Sequence, residues 1–127
     1  SLHDALPIYQ NGRVVYKWAI QTLSYGLKSL ARKNCIALDE VSFFLPHSAN
    51  YRLLEAVFHE LKIPMDKCLD SVREYGNTSA ASIPLAWYNG IMSGKIQKND
   101  ILLLMGFGGG FTYGGIGIKN QIENKYV

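Results

Sequence analysis

Apolar residues recur at Val15, Ala19, Leu23, Leu27 and Leu30, a spacing of four and three that predicts a helix from Val15 to Leu30. Gly26 interrupts that stripe and should weaken the helix by about 1 kcal/mol relative to Ala. Val41 to Leu45 then reads as a short buried strand ended by Pro46. Ser48 or Asn50 can cap a second helix, with Leu53, Leu54, Val57, Phe58 and Leu61 on its apolar face. Glu55, His59 and Lys62 fall on the wet face, and Pro64 closes the helix. A weaker strand is expected from Leu69 to Val72, before a turn at Gly76 and Asn77. A third helix runs from about Thr78 to Met92, with Pro84 placed to kink or delay it. Lys95 to Asp100 is a polar turn. Ile101 to Met105 is continuously apolar, the mark of a strand covered on both faces. The glycine-rich stretch Gly106 to Gly110 reads as a bend into a last strand, Phe111 to Lys119, and the polar tail 120–127 should fray. This order of helices and strands predicts a layered α/β domain with a mixed sheet.

Composition narrows the class without naming a function. Across 127 residues, 48% are hydrophobic and 18% charged, which fits one domain with a real core and excludes a disordered chain. The net charge is +3, and Arg32-Lys33 is the only adjacent basic pair, so no nucleic-acid footprint is present. A mildly basic surface does suit an acidic protein or a phosphate-bearing ligand. No apolar run is long enough to span a bilayer. Cys35 and Cys68 form no paired motif and read as reduced thiols of a cytosolic protein. Ser1 to Ile8 lack the character of a signal peptide, and no Met leads the chain, so residue 1 reads as other than a native start.

Chemistry is expected where strands end, because ligands of open α/β sheets bind beyond the carboxyl ends of the strands. Three segments follow predicted strands: Pro46 to Asn50, Tyr75 to Ser79, and Gly106 to Gly110. If the strands run parallel, a His, an Asn and a run of backbone N–H groups meet at one rim, a sensible donor set for a developing oxyanion. Each piece has a plain reading as well. His47 alone suits capping or packing, Asn77 suits a turn or a helix cap, and the glycines suit a tight bend or a phosphate. The glycine run is not a Walker A loop, since no Gly-Lys-Ser/Thr follows. His3 and His59 are poorer candidates, and no His, Cys and carboxylate group has metal-ligand spacing.

Taken in order, His47-Ser-Ala-Asn-Tyr-Arg52, Tyr75-Gly-Asn-Thr-Ser-Ala-Ala-Ser-Ile-Pro84 and Gly106-Phe-Gly-Gly-Gly-Phe-Thr112 resemble the β-ketoacyl-ACP synthase III family. The resemblance runs from about Asn11 to Lys119, with residues 1–10 matching poorly and 120–127 left as a tail. It implies the second half of a thiolase-like α/β fold, with helices layered on a five-stranded mixed sheet. It further implies that His47 and Asn77 are catalytic, donating hydrogen bonds to the malonyl thioester carbonyl as carbon dioxide leaves. A His just ahead of a helix N-terminus should stay neutral, still with one N–H to donate. Gly109 matches an oxyanion-hole backbone N–H, and Phe107 a residue that shields the pocket. Asn50 and Arg52, and also Gly12 and Tyr16, match positions along a phosphopantetheine channel, although Arg52 reads equally as a solvated helix residue.

The implied reaction joins an acyl group from acyl-CoA to malonyl-ACP with decarboxylation, initiating fatty-acid synthesis in the cytoplasm. No bound cofactor is implied. Acyl carrier protein, acyl-CoA and a second copy of the full-length enzyme are the implied partners. Two features depart from the family pattern. Ser48 stands where many relatives carry Gln, and the family's nucleophilic Cys, which lies in the first half, has no counterpart in Cys35 or Cys68. Two alternatives follow: a thiolase-like acyltransferase of secondary metabolism, or a non-catalytic pairing half.

Overall fold

The computed structural model describes residues 12–125, in which helices cover both faces of a small mixed sheet. Strand β1 (Phe43–Pro46) pairs in parallel with β2 (Ile101–Gly108), and β2 pairs antiparallel with β3 (Thr112–Lys119), in the order β1-β2-β3. Helices α1 (Gly12–Lys33) and α2 (Tyr51–Leu61) cover one face, and α4 (Ser82–Met92) covers the other. A single helical turn, α3 (Val72–Tyr75), lies between α2 and α4.

The period of two along β2 explains its continuous apolar run. Leu103 and Met105 join Phe44 in a core with Ala19, Leu23 and Leu27 of α1 and Leu54, Val57 and Phe58 of α2. Leu102 and Leu104 point the opposite way and join Leu45 in a second core with Ala86 and Ile91 of α4. Each fully buried Leu or Phe contributes roughly 1.5–3 kcal/mol. Phe44 and Phe58 also meet edge to face, with ring centroids 5.5 Å apart.

Gly26, a weak point in an isolated helix, is required by the packing. A Cβ at this position would lie 2.1 Å from Met105 Cε, so the missing side chain lets α1 settle onto β2. The helix extends beyond the predicted Leu30 to Lys33, and Cys35 then turns the chain with φ 55°. Asn50 rather than Ser48 caps α2, its side-chain oxygen accepting from Arg52 N and Leu53 N. Glu55, His59 and Lys62 are exposed as the pattern predicts. Pro84 falls in the first turn of α4, where its missing N–H has no helical partner to lose. The helix proper is delayed to Ser82 by a preceding 3-10 turn, Ser79–Ala81.

Four expectations need correction. Among the described residues the sheet has three strands, not five. The weak strand expected at Leu69 to Val72 is reduced to one bridge, Cys68 with Phe44, continued by Leu69 N donating to Phe44 O. Side chains divert that backbone: Asp70 accepts from Arg73 N at 3.1 Å, and Ser71 N donates to Ser48 Oγ at 3.2 Å. Such local bonds favour a turn over a ladder. The glycine-rich bend is shorter than expected, because β2 continues to Gly108 and only Gly109–Phe111 turn the chain.

The start of the tail is pinned rather than frayed. Asn120 is fully buried, with Oδ1 accepting from Trp87 Nε1 at 3.2 Å and from Ile122 N. Its amide nitrogen donates to Gln97 O and Ile122 O. The expected mismatch of residues 1–10 lies outside the described residues.

Candidate functional site

The parallel pairing of β1 with β2 carries both strands to the same rim. His47 is the first residue past β1, and its N–H donates to Met105 O at 2.8 Å, extending the ladder by one step. That bond fixes where the imidazole leaves the sheet. The ring is then held on two sides. Its Nδ1 lies 2.7 Å from Ser82 Oγ at the start of α4, and Phe107 packs against it in a T-shaped pair, with ring centroids 5.0 Å apart and planes at 70°. Burial lowers the pKa of His47 from its usual value, so the neutral ring is favoured. Burial, rather than the α2 dipole invoked from sequence, is the cause shown in the structure.

Asn77 reaches the same cavity from the loop after α3. Gly76 ends α3 at φ 70°, a backbone conformation that suits glycine, and Ser79 holds φ 53°. The turn between them aims the amide, with Ser79 N donating to Asn77 Oδ1 at 2.9 Å. With its oxygen engaged, Asn77 presents its NH2 group as the free end. His47, Asn77, Ser79, Ser82, Gly106 and Phe107 are among the residues that line a cavity of about 310 Å³. A larger groove of about 450 Å³, along α4 and residues 122–125, is mostly apolar and shares no residue with it.

The expected convergence is therefore present for His47, Asn77 and Phe107. Gly109 sits one residue beyond the lining glycines Gly106 and Gly108, in the exposed turn. Asn50, Arg52, Gly12 and Tyr16 do not line the cavity. Asn50 spends its side-chain oxygen on the α2 cap, Arg52 is exposed in the first turn of α2, and Gly12 and Tyr16 are exposed on the first turns of α1. Neither Cys lines it. Cys68 is buried, and burial with the neighbouring Asp70 charge pushes its thiol up to about 12. Among the described residues, no three His, Cys, Asp or Glu side chains are grouped to hold a metal.

Two contributors were not singled out from the sequence. Trp18 of α1 buttresses the aromatic wall, 6.1 Å from Phe107 and 4.9 Å from Phe111, edge to face in both cases. Ser82 contacts His47 across 35 positions, and although it falls inside the Gly-Asn-Thr-Ser-Ala-Ala-Ser string, no local signal marks which serine turns inward.

A half-buried His held toward its neutral form, an oriented amide and a glycine-rich strand end form a donor set suited to an oxyanion. Residues 31–119, which include every one of these elements, match the family described as 3-oxoacyl-[acyl-carrier-protein (ACP)] synthase III, C terminal. The chain belongs to that family. It is 46% identical over 110 residues to β-ketoacyl-[acyl-carrier-protein] synthase III 2 of Bacillus subtilis, covering 87% of this chain and 34% of the relative. It is 41% identical over 124 residues to β-ketoacyl-[acyl-carrier-protein] synthase III of Campylobacter jejuni, covering 98% of this chain and 38% of that protein. A crystal structure of the synthase III from Thermus thermophilus superimposes with a TM-score of 0.85 at 34% identity, over 88% of this chain and 35% of that one. The chain thus spans about a third of the length of these relatives. Among the described residues, no helix is long and apolar enough to cross a membrane.

Proposed function

We propose that this chain is the C-terminal half of a condensing enzyme that joins an acyl group from acyl-CoA to malonyl-ACP with loss of carbon dioxide, initiating fatty-acid synthesis. The observation that carries the reading is the meeting of His47 and Asn77 in one cavity at the end of two parallel strands. When the malonyl carboxylate leaves, its bonding electrons enter the thioester as an enolate. His47 and Asn77 donate hydrogen bonds to the enolate oxygen, and the carbon then attacks the Cys-bound acyl carbonyl, forming the C–C bond as the acyl C–S bond breaks and the Cys thiolate leaves. Acylation of a Cys supplied by the first half precedes this step, separating acyl transfer from condensation. Gly109 offers its backbone N–H to the oxyanion of acyl transfer, and Phe107 shields the imidazole from water.

In this reading Asn50, Arg52, Gly12 and Tyr16 face the phosphopantetheine arm once the first half completes the channel. The catalytic unit runs from 11 to 119, the enzyme works in the cytoplasm as a homodimer, and acyl carrier protein is its partner. A second reading has one observation in its favour. Because neither Cys35 nor Cys68 lines the cavity, the chain alone holds donors without a nucleophile, as a pairing or binding half would.

The test is to read the transcript upstream of residue 1 and assay its full product beside the 127-residue chain. An in-frame half carrying a Cys at a strand-to-helix junction, with condensation by the full product only, supports the enzyme. A stop codon or unrelated sequence upstream leaves the pairing half. Condensation by this chain alone overturns the account of the nucleophile.

A further inference from the structure

Ser82 sits beneath His47 with no exposed surface, and its hydroxyl has two neighbours: His47 Nδ1 at 2.7 Å and the backbone N–H of Ser48 at 3.2 Å. The peptide N–H can only donate, so it occupies one lone pair of Ser82 Oγ. Two arrangements remain for the short contact to the ring. If Nδ1 carried the proton, the oxygen would accept twice, and its own proton would be buried with nothing to bond. If Nδ1 is bare, the Ser82 proton points at it and every group is satisfied. Stranding a buried hydroxyl proton disfavours the first arrangement by roughly ten-fold or more.

On that basis we infer that Ser82 is a positioning residue, which locks His47 as the tautomer bearing its proton on Nε2. The inference rests on the proposed role of His47 as a hydrogen-bond donor and supplies the physical origin of that donor. A neutral imidazole has one N–H, and this arrangement keeps it off Nδ1 and on the nitrogen left for the cavity. The rest of the buried cluster holds Ser82 in place. Ser71 Oγ donates to Ser82 O at 2.9 Å, Ser71 N donates to Ser48 Oγ, and Ser48 Oγ donates to Pro46 O at 3.4 Å. Three serines, each no more than 1% exposed, thus tie the end of β1, the turn before α3 and the start of α4 to one ring. Ser48 serves here as a scaffold for Ser82, its backbone N–H donating to Ser82 Oγ and its own Oγ accepting from Ser71 N.

Magic-angle-spinning NMR of the full chain with ring-15N histidine reads the tautomer directly, and His47→Gln identifies the His47 signals. The wild-type chain should show a bare Nδ1 and a protonated Nε2. A protonated Nδ1 in the wild type overturns the inference, with no variant needed. Ser82→Ala should shift the tautomer ratio by about ten-fold toward Nδ1–H, and Ser82→Cys, a weaker donor of similar size, should fall between. A folded Ser82→Ala chain with the wild-type ratio overturns the inference. Ser48→Ala loosens the cluster without touching the ring, so it should leave the ratio in place. If it shifts the ratio as far as Ser82→Ala does, general loosening is the cause and the assignment to Ser82 fails. A locked tautomer together with unimpaired decarboxylation in His47→Ala would instead sink the proposed function and leave the tautomer assignment standing.

Discussion

Asn77 and Asn120 carry the same side chain at opposite ends of the α4 layer, and the structure uses them in opposite ways. Asn120 is fully buried and saturated: its oxygen accepts two hydrogen bonds, and its nitrogen donates two. That is the full capacity of an amide. Nothing remains for a substrate, and the side chain acts only to pin the chain beyond β3 against Trp87 and the turn at Gln97. Asn77 is exposed at the cavity, with its oxygen fixed by Ser79 N and no protein partner for its nitrogen among the described residues. One of its four possible bonds sets the aim, and the rest are left over. Residue type cannot separate a structural amide from a chemical one, whereas an account of donors and acceptors can.

The largest expected effect tests the open end of that contrast. In the full-length enzyme, His47→Ala and Asn77→Ala should each slow malonyl decarboxylation by roughly 10²–10³-fold, the usual cost of losing one oxyanion donor. Acyl transfer to the Cys should survive better, and equal loss of both half-reactions would break the division of roles. Next comes the saturated end. Asn120→Ala strands Trp87 Nε1–H, Ile122 N–H and Ile122 O, while Gln97 O keeps Asp100 N as a donor, and it should lower unfolding stability by about 3 kcal/mol in urea titrations. A loss under about 0.5 kcal/mol would show that water replaces the amide and would erase the contrast.

Asn50 sharpens the comparison, because it both caps α2 and is proposed to meet the phosphopantetheine arm. Asn50→Ala should lose about 1 kcal/mol of stability, while Asn50→Asp keeps the cap. A raised KM for acyl-CoA in Asn50→Asp, at unchanged stability, supports the second role, and an unchanged KM removes it. The smallest effect is the pH dependence of His47. Burial lowers its folded pKa, so between the folded and unfolded values the unfolded chain binds more protons. The stability held above the unfolded value, about 6.5, should therefore decline as pH falls through it. His47→Gln should remove that part of the decline in parallel urea titrations at stepwise lower pH, and a variant that declines as steeply as the wild type would count against burial of the ring.

The legible part of this protein was periodic or contiguous. The stripe through Ala19, Leu23 and Leu27 and the apolar face of α2 both fold as read, as does the apolar run of β2. The strings around His47, Asn77 and Phe107 were legible for the same reason, since their residues are adjacent in sequence. The weak strand at Leu69 to Val72 was misread because Asp70 and Ser71 find side-chain partners, which propensity does not count. Asn120 looked like the start of a loose tail because a polar residue gives no local sign that four partners await it.

Sequence by itself determined the order of the three long helices and of β1, β2 and β3, the faces that α1 and α2 bury, and the family of the chain, because these depend on residues a few positions apart. Tertiary structure decided how β2 divides its side chains between two cores and why Gly26 is required. It also decided that Ser82, among the serines of one string, is the partner of His47. Those outcomes depend on how α1 and α4 dock on the sheet, which brings together groups tens of residues apart. A hydrogen bond reaches only about 3 Å, and no pattern along one chain resolves distances that fine.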